Sequence, residues 1–263
     1  MKYFLIIAIF CLNAEAKKPL YELGFAVGGG IVPDYPASNQ SRTRYIIVPT
    51  GTYRGPIVRS DKKGTRARFI HGHRYDIDLS IGASLPANSK NNDAREGMNN
   101  LDWLGEIGPR LNFDIYDKNG SEVELELPLR FVASTDFEFT KHRGMRFNPQ
   151  IDLSHRLNSK FKIYAGLKMD WATEGVTDYF YQVDGSDISA HRTGFNAKPG
   201  YIGKYISTSV SYYANHLFMI LGIKYSNFEG AANENSPLYK SKENTTLFLG
   251  MNYYFYQSKK LEK

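Results

Sequence analysis

Between residues 103 and 134 apolar and polar positions alternate without a lapse on both sides of one tight turn. Trp103, Ile107, Pro109, Leu111, Phe113 and Ile115 fall on one face, with Glu106, Arg110, Asn112 and Asp114 on the other. After the turn Val123, Leu125, Leu127, Leu129, Phe131 and Ala133 alternate with Glu122, Glu124, Glu126, Pro128, Arg130 and Ser134. A period of two is the signature of a strand. Both apolar faces stay on one side only if paired residues have an even sum. A three-residue turn, Lys118 to Gly120, meets that condition with Gly120 in the left-handed conformation and Asp117 opposite Ser121. Phe113 then faces Leu125 and Leu111 faces Leu127, while on the polar face Arg110 lies diagonal to Glu126 and Arg130 diagonal to Glu106, within reach of long side chains. Pro109 and Pro128 each remove a ladder donor, so a local break is expected where they approach. Each strand runs to about a dozen residues, enough to cross a bilayer at a tilt.

The same alternation recurs along the chain. Tyr21 to Gly30 sets Tyr21, Leu23, Phe25 and Val27 against Gly24, Ala26 and Gly28, and a polar loop over 31–43 follows with Pro33-Asp34-Tyr35-Pro36. Further strands are predicted at Arg44–Arg54, Thr65–His71, Tyr75–Ser84, Met145–His155, Phe161–Trp171, His191–Tyr201, Tyr205–Ala214, Leu217–Phe228 and Asn244–Tyr256. With the opening hairpin these make twelve, an even number as single-chain outer-membrane barrels require. Two long polar stretches, Leu85 to Asp102 and Ala172 to Ala190, read as loops. Counted with both termini in the periplasm, they fall on the periplasmic side, where a partner would meet them.

Composition brings in the membrane. The hydrophobic share of 42% in 263 residues suits a soluble protein, as does a mean hydropathy of −0.43. Barrel strands give the same averages, because only half of each strand faces lipid. The 19 tyrosines and 16 phenylalanines suit aromatic girdles. A secreted β-sandwich or lipocalin-like barrel would alternate in the same way, but with shorter strands. Residues 1–16 read as a secretory signal, with Lys2, an apolar run from Tyr3 to Leu12 and the cleavage motif Ala14-Glu15-Ala16. Residues 17–263 then form a single barrel domain. The one cysteine, Cys11, lies in the signal, which removes thiolate chemistry and disulfides from the mature chain.

Candidate chemistry changes the picture little. His71 and His73 flank Gly72 beside Arg74, but a metal site needs more ligands and no adjacent cation. Asp152, Ser154 and His155 invite a hydrolase reading, yet neighbours on a strand point to opposite faces. Gly28-Gly29-Gly30 lacks the helix and Lys-Ser/Thr of a phosphate loop. The net charge of +6 is spread along the chain rather than gathered in a stripe, which argues against nucleic acid and leaves Lys and Arg at the rims for anionic lipid headgroups. No catalytic residue, metal or cofactor is expected.

Several short motifs resemble the MipA/OmpV outer-membrane proteins along the whole mature chain. Residues 28–38, Gly-Gly-Gly-Ile-Val-Pro-Asp-Tyr-Pro-Ala-Ser, are similar to that family's glycine-rich first strand and Pro-Asp-Tyr-x-Gly-Ser loop, with Ala37 in place of the usual glycine. Tyr53-Arg54-Gly55, Glu106-Ile107-Gly108-Pro109, Asn235-Ser236-Pro237 and Gly250-Met251-Asn252-Tyr253-Tyr254-Phe255 match in order and spacing. The tail after Phe255 departs from barrels that end on their last aromatic residue. The resemblance implies a non-enzymatic scaffold in the outer membrane of a Gram-negative bacterium, with a murein synthase and a lytic transglycosylase as periplasmic partners. A small channel or porin-like pore is the alternative from the residues themselves, and a barrel enzyme acting on lipid or sugar is a third. The charges of the polar face serve a water-filled path in the second case and a packed plug in the first, and the strand number favours the plug.

Overall fold

The structure, a computed structural model, describes residues 19–55, 58–61, 64–72 and 74–261, with the backbone alone at 58–61, 64–68 and 71. The signal segment and His73 therefore lie outside the described residues, as does the His71 side chain. The strands are β1 (Tyr21–Pro33), β2 (Ser41–Arg54), β3 (Val58–Asp61), β4 (Gly64–His71), β5 (Tyr75–Ser84), β6 (Trp103–Lys118), β7 (Ser121–Thr135), β8 (Thr140–Phe147), β9 (Gln150–Arg156), β10 (Phe161–Ala172), β11 (Gly200–Ala214), β12 (Leu217–Asn227) and β13 (Glu243–Gln257), with one helix, α1 (Glu174–Tyr181). Neighbours pair antiparallel all the way round and β13 returns to β1, so the sheet closes on itself. β8 and β9 both sit between β7 and β10 and form one wall strand, interrupted at Asn148-Pro149 where proline has no N–H to give. The result is a 12-stranded antiparallel barrel.

One exchange lies hidden inside that agreement in number. His191–Tyr201 is not a wall strand: apart from the first residues of β11 it is loop, tied by isolated bridges at Val183–Phe195 and Ser189–Arg192. Its Arg192 donates to the carbonyls of Asp187, Ala94 and Glu96 at 2.7, 3.0 and 3.0 Å, so it serves loop against loop. In its place stands β3, a four-residue strand whose Val-Arg-Ser-Asp carries no apolar period to betray it. Inserting a strand there inverts the direction of every element from β4 to β10, and the loss of 191–201 restores it from β11 on. The connections 34–40, 85–102, 173–199 and 228–242 consequently share one end of the barrel with the short turn 136–139, and both termini and the turns 119–120, 157–160 and 215–216 share the other. Outer-membrane barrels keep short turns in the periplasm and long loops outside. The expectation that 85–102 and 172–190 face the periplasm is therefore overturned.

The opening hairpin keeps the expected pairing of Phe113 with Leu125 and Leu111 with Leu127, by a different route. Its turn has two residues, Asn119 and Gly120, at φ 54° and 74°, with Lys118 opposite Ser121. Both central residues left-handed is the turn whose twist suits a hairpin. The odd residue sum this creates is corrected by a bulge between Asp114 and Tyr116. Gly108 and Pro109 have no ladder partners on β7, the break the two prolines require.

Outward side chains form the lipid belt: Tyr21, Leu23, Phe25 and Val27 on β1 are exposed, as are Ile107, Phe131, Leu221 and Leu249. The buried apolar residues gather instead at the long-loop end, where Tyr35, Leu101, Val176, Phe180, Tyr181, Val183 and Leu238 pack with Leu104, Val132 and Ile202 from the strand ends. This is a lid across the mouth. The tail runs back along the first residues, Ser258 donating to the Tyr21 carbonyl at 2.9 Å and Leu20 to that of Lys260 at 2.7 Å.

Leu127→Arg sets a cation on the lipid face near mid-wall at about 2–4 kcal/mol. It is expected to abolish the heat-modifiable folded form in vesicles, whereas Glu124→Gln, on the inner face, retains it.

Candidate functional site

Closure turns the polar faces of successive strands into the wall of a lumen, and on the β5–β10 side that wall is packed with charge. Arg110 donates from Nε and Nη2 to the two oxygens of Asp78 at 3.0 and 2.9 Å, and from Nη1 to Glu126 at 2.8 Å. Arg146 joins Glu106 at 2.6 Å to Asp170 at 3.0 Å. Arg130 lies 3.7 Å from Glu106 and donates to Ser80 at 2.8 Å and Asn148 at 3.1 Å. Three guanidiniums thus meet four carboxylates across five wall strands, nearly all of them buried. Each guanidinium is placed by the alternation of its strand, and each is held in plane by two or more acceptors, the geometry that makes Arg suitable for buried pairs. Lys168 adds its Nζ over the Tyr205 ring at 4.7 Å, and Tyr205 donates to Asp170 at 3.3 Å.

A second cluster sits at the terminal end and crosses the β1–β13 seam. Glu22, fully buried, accepts from Arg54 at 2.5 Å, Tyr213 at 3.2 Å and Gln257 at 2.7 Å. On the opposite side of the lumen the lining is small or apolar: Gly28, Gly30, Ile46, Ile220, Phe248 and Gly250.

The structure brings the motifs of residues 28–38 and 235–237 together in the lid. Tyr35 donates to the Leu238 carbonyl at 2.7 Å, Ser236 to that of Tyr181 at 2.8 Å, and Tyr181 to that of Pro36 at 3.1 Å. Asp34 collects Arg44 at 2.7 Å, Arg42 at 3.3 Å and Asn92 at 2.9 Å. Pro33 ends β1, and Pro237 follows Ser236 in the same loop. Burial pushes the Tyr35 and Tyr179 hydroxyls up to about 12 and Tyr181 higher still, so all three remain neutral donors. α1 lies against β8 because Gly175 lets the chains touch: a Cβ there would stand at 2.4 Å from the Arg143 carbonyl oxygen, clear overlap. Ala37 sits at φ 64°, which explains a glycine preference at that position, and its carbonyl accepts from Lys240 and Ser241 at 2.8 and 2.9 Å.

Gly28, Gly29 and Gly30 lie in the wall, and Gly108 is required by close approach, since a Cβ there would fall 2.0 Å from the Leu129 carbonyl oxygen. Glu106 belongs to the charged wall, and Pro109 to the break in the β6–β7 ladder. Ser154 donates to Glu122 in the lumen at 3.3 Å, whereas His155 faces outward and pairs with Ser121 at 2.7 Å. The sequence reading missed Asp78, Arg146 and Asp170 as partners. Each stands on the polar face of its strand, and Asp78 lies directly opposite Arg110 in the β5–β6 ladder, but the long loop 85–102 hides from the sequence the register of that pairing.

The family model described as MltA-interacting protein MipA matches residues 25–255. The chain belongs to the MipA family. As a MipA-family protein it is an outer-membrane β-barrel of a Gram-negative bacterium. Among solved structures, an outer-membrane channel from Pseudomonas putida F1 is similar at TM-score 0.44 and 13% identity, over 92% of this chain and 98% of that one. The NanC porin is similar at TM-score 0.43 and 9% identity, over 87% and 98%. No curated protein matches the chain.

Arg110→Met leaves Asp78 and Glu126 buried with a missing counter-charge and should lower stability by about 3–5 kcal/mol. Lys162→Met breaks a partly exposed pair with Glu122 and should cost no more than about 1 kcal/mol. Denaturant midpoints of the two variants in vesicles test the difference.

Proposed function

We propose that this MipA-family barrel is a closed, non-enzymatic anchor that holds murein enzymes at the inner face of the outer membrane, among them a lytic transglycosylase of the MltA kind. The observation that carries the proposal is the lid. Val176 and Tyr181 of α1 are 0% and 1% exposed in a continuous apolar core that spans the mouth, and the charged wall lines the β5–β10 side of the lumen below it. A diffusion pore would have to break that core and the bonds of Tyr35, Tyr181 and Ser236 to open. The family description, which names an interaction with MltA, supports the partner.

With the long loops outside, contact with a periplasmic enzyme falls to the opposite rim. There the turn 157–160, the Asn119-Gly120 turn and the tail expose Lys118, Lys160, Lys259 and Lys260 beside Asp117. A rim of that sign suits a partner with an acidic face, and such contacts weaken with salt.

The intact protein is expected to give no steady conductance in planar bilayers, and removal of residues 174–198 to create one. A steady open level from the intact barrel would favour the pore. Immobilised barrel should retain MltA from solution at low salt. Lys160→Glu combined with Lys259→Glu should release it, and lid deletion should leave it bound. Loss of MltA on lid deletion alone would return the partner site to the long loops.

A further inference from the structure

The wall of the barrel is incomplete in one place. β3 pairs with β2 only at Tyr53–Ser60 and Arg54–Arg59, and β4 pairs with β5 only as far as Ser80. Among the described residues no strand lies against residues 41–52 of β2 on the side away from β1, nor against 81–84 of β5 on the side of β4. The short β3–β4 hairpin thus closes the terminal end of the wall and leaves its lid-side part without a strand among the described residues, crossed there by the Arg44 side chain, which donates to the Pro86 carbonyl. The exposure of outward side chains follows: Tyr45 and Ile47 reach 79% and 64%, against 41–56% for Leu23, Phe25 and Val27 on fully flanked β1. Pro49, a residue that blunts an edge strand, stands on this free edge.

Behind the opening is a recess of about 270 Å³ with an almost wholly apolar lining. Arg44 and Ile46 of β2 and Leu85, just past β5, line it from the two sides of the gap, and Gly28, Gly250 and Phe248 form its floor. An apolar cavity of about 150 Å³ already takes a benzene ring. At the mouth, Arg42 and Arg44 share the single carboxylate of Asp34, which leaves one positive charge in excess beside the membrane surface. Open backbone edges are not tolerated against bulk hydrocarbon unless they border a cavity or a bound partner.

We propose that the gap between β2 and β5 is a lateral portal, and that the recess behind it holds the acyl chain of an anionic membrane lipid whose headgroup meets Arg42 and Arg44. The site is independent of any periplasmic partner. The chain enters sideways, where the wall is missing, and replaces water against Ile46 and Phe248.

The test reconstitutes the full mature protein in phosphatidylcholine vesicles with a trace of phosphatidylglycerol bearing a diazirine at the end of one acyl chain. After irradiation, adducts are mapped by mass spectrometry. Labelling is expected on Ile46 and Phe248, which face inward, as well as on the outer belt. Gly28→Leu should cut the inward labelling roughly tenfold, the loss of contact with about two methylenes, and leave labelling of Leu247 and Leu249 unchanged. The substitution is compatible with the backbone, since a Cβ at Gly28 meets nothing closer than 3.8 Å. Ile46→Trp blocks the same space from β2 and replaces it should Gly28→Leu fail to give the heat-modifiable form. The same label on phosphatidylcholine should react with the inner residues less. Inward labelling that is absent, that survives both blocking variants, that is equal for the neutral lipid, or that comes more readily from a diazirine fatty acid added in solution would overturn the proposal.

Discussion

A backbone amide has no partner in hydrocarbon but another backbone, and a spanning sheet must therefore end where it began. Everything distinctive in this chain follows from that closure. The β1–β13 seam joins the two ends of the sequence, and only then does the polar face of each strand acquire an opposite wall. Arg110 has Asp78 and Glu126 because β5, β6 and β7 curve around it, and Arg146 bridges Glu106 and Asp170 from wall positions on either side. Asp78 stands directly opposite Arg110 in the β5–β6 ladder, and curvature of the closed wall shields the pair from water. Buried pairs of this kind return little net stability, since desolvation takes most of what attraction provides. Their contribution here is register: a strand slipped by two residues would take Asp78 away from its place opposite Arg110.

What the periodicity of the chain carries is the wall. Alternation at Tyr21–Val27, Trp103–Ile115 and Val123–Ala133 is a direct imprint of lipid on one side and lumen on the other, and it locates strands and faces well. It fails where a strand is too short to show a period, as at Val58–Asp61, or where a loop segment is lengthy and mixed enough to imitate one, as at His191–Tyr201. These two errors cancelled in the strand number and, from β11 on, in direction, but they reversed every element that lies between them, the loops 85–102 and 173–199 included. The lid was legible only as separate motifs. Asp34-Tyr35 and Ser236-Pro237 are 200 residues apart in the chain, and nothing in local pattern says that Tyr35 and Leu238 meet.

The lumen is consequently asymmetric. One side is a salt-bridged buttress from β5 to β10, and the other is a smooth, small-residue surface from β12 to β2 beneath a wall that the β3–β4 hairpin does not complete. The outer mouth is shut by a packed core, and the periplasmic rim is low, basic and close to both termini.

The seam between the chain ends also sets an order of events. Tyr21 and Tyr256 are 235 residues apart in sequence and stack at 5.7 Å. Contacts of such separation are the slowest to form, since the loop entropy is lost before they reward it. The lid draws on the same distances, from Pro36 to Tyr181 and from Tyr35 to Leu238, and its strand-end residues face one another only in a closed ring. The lid in this form therefore presupposes the closed ring, and a buried Tyr181 is a molecular record that the last strand has found the first.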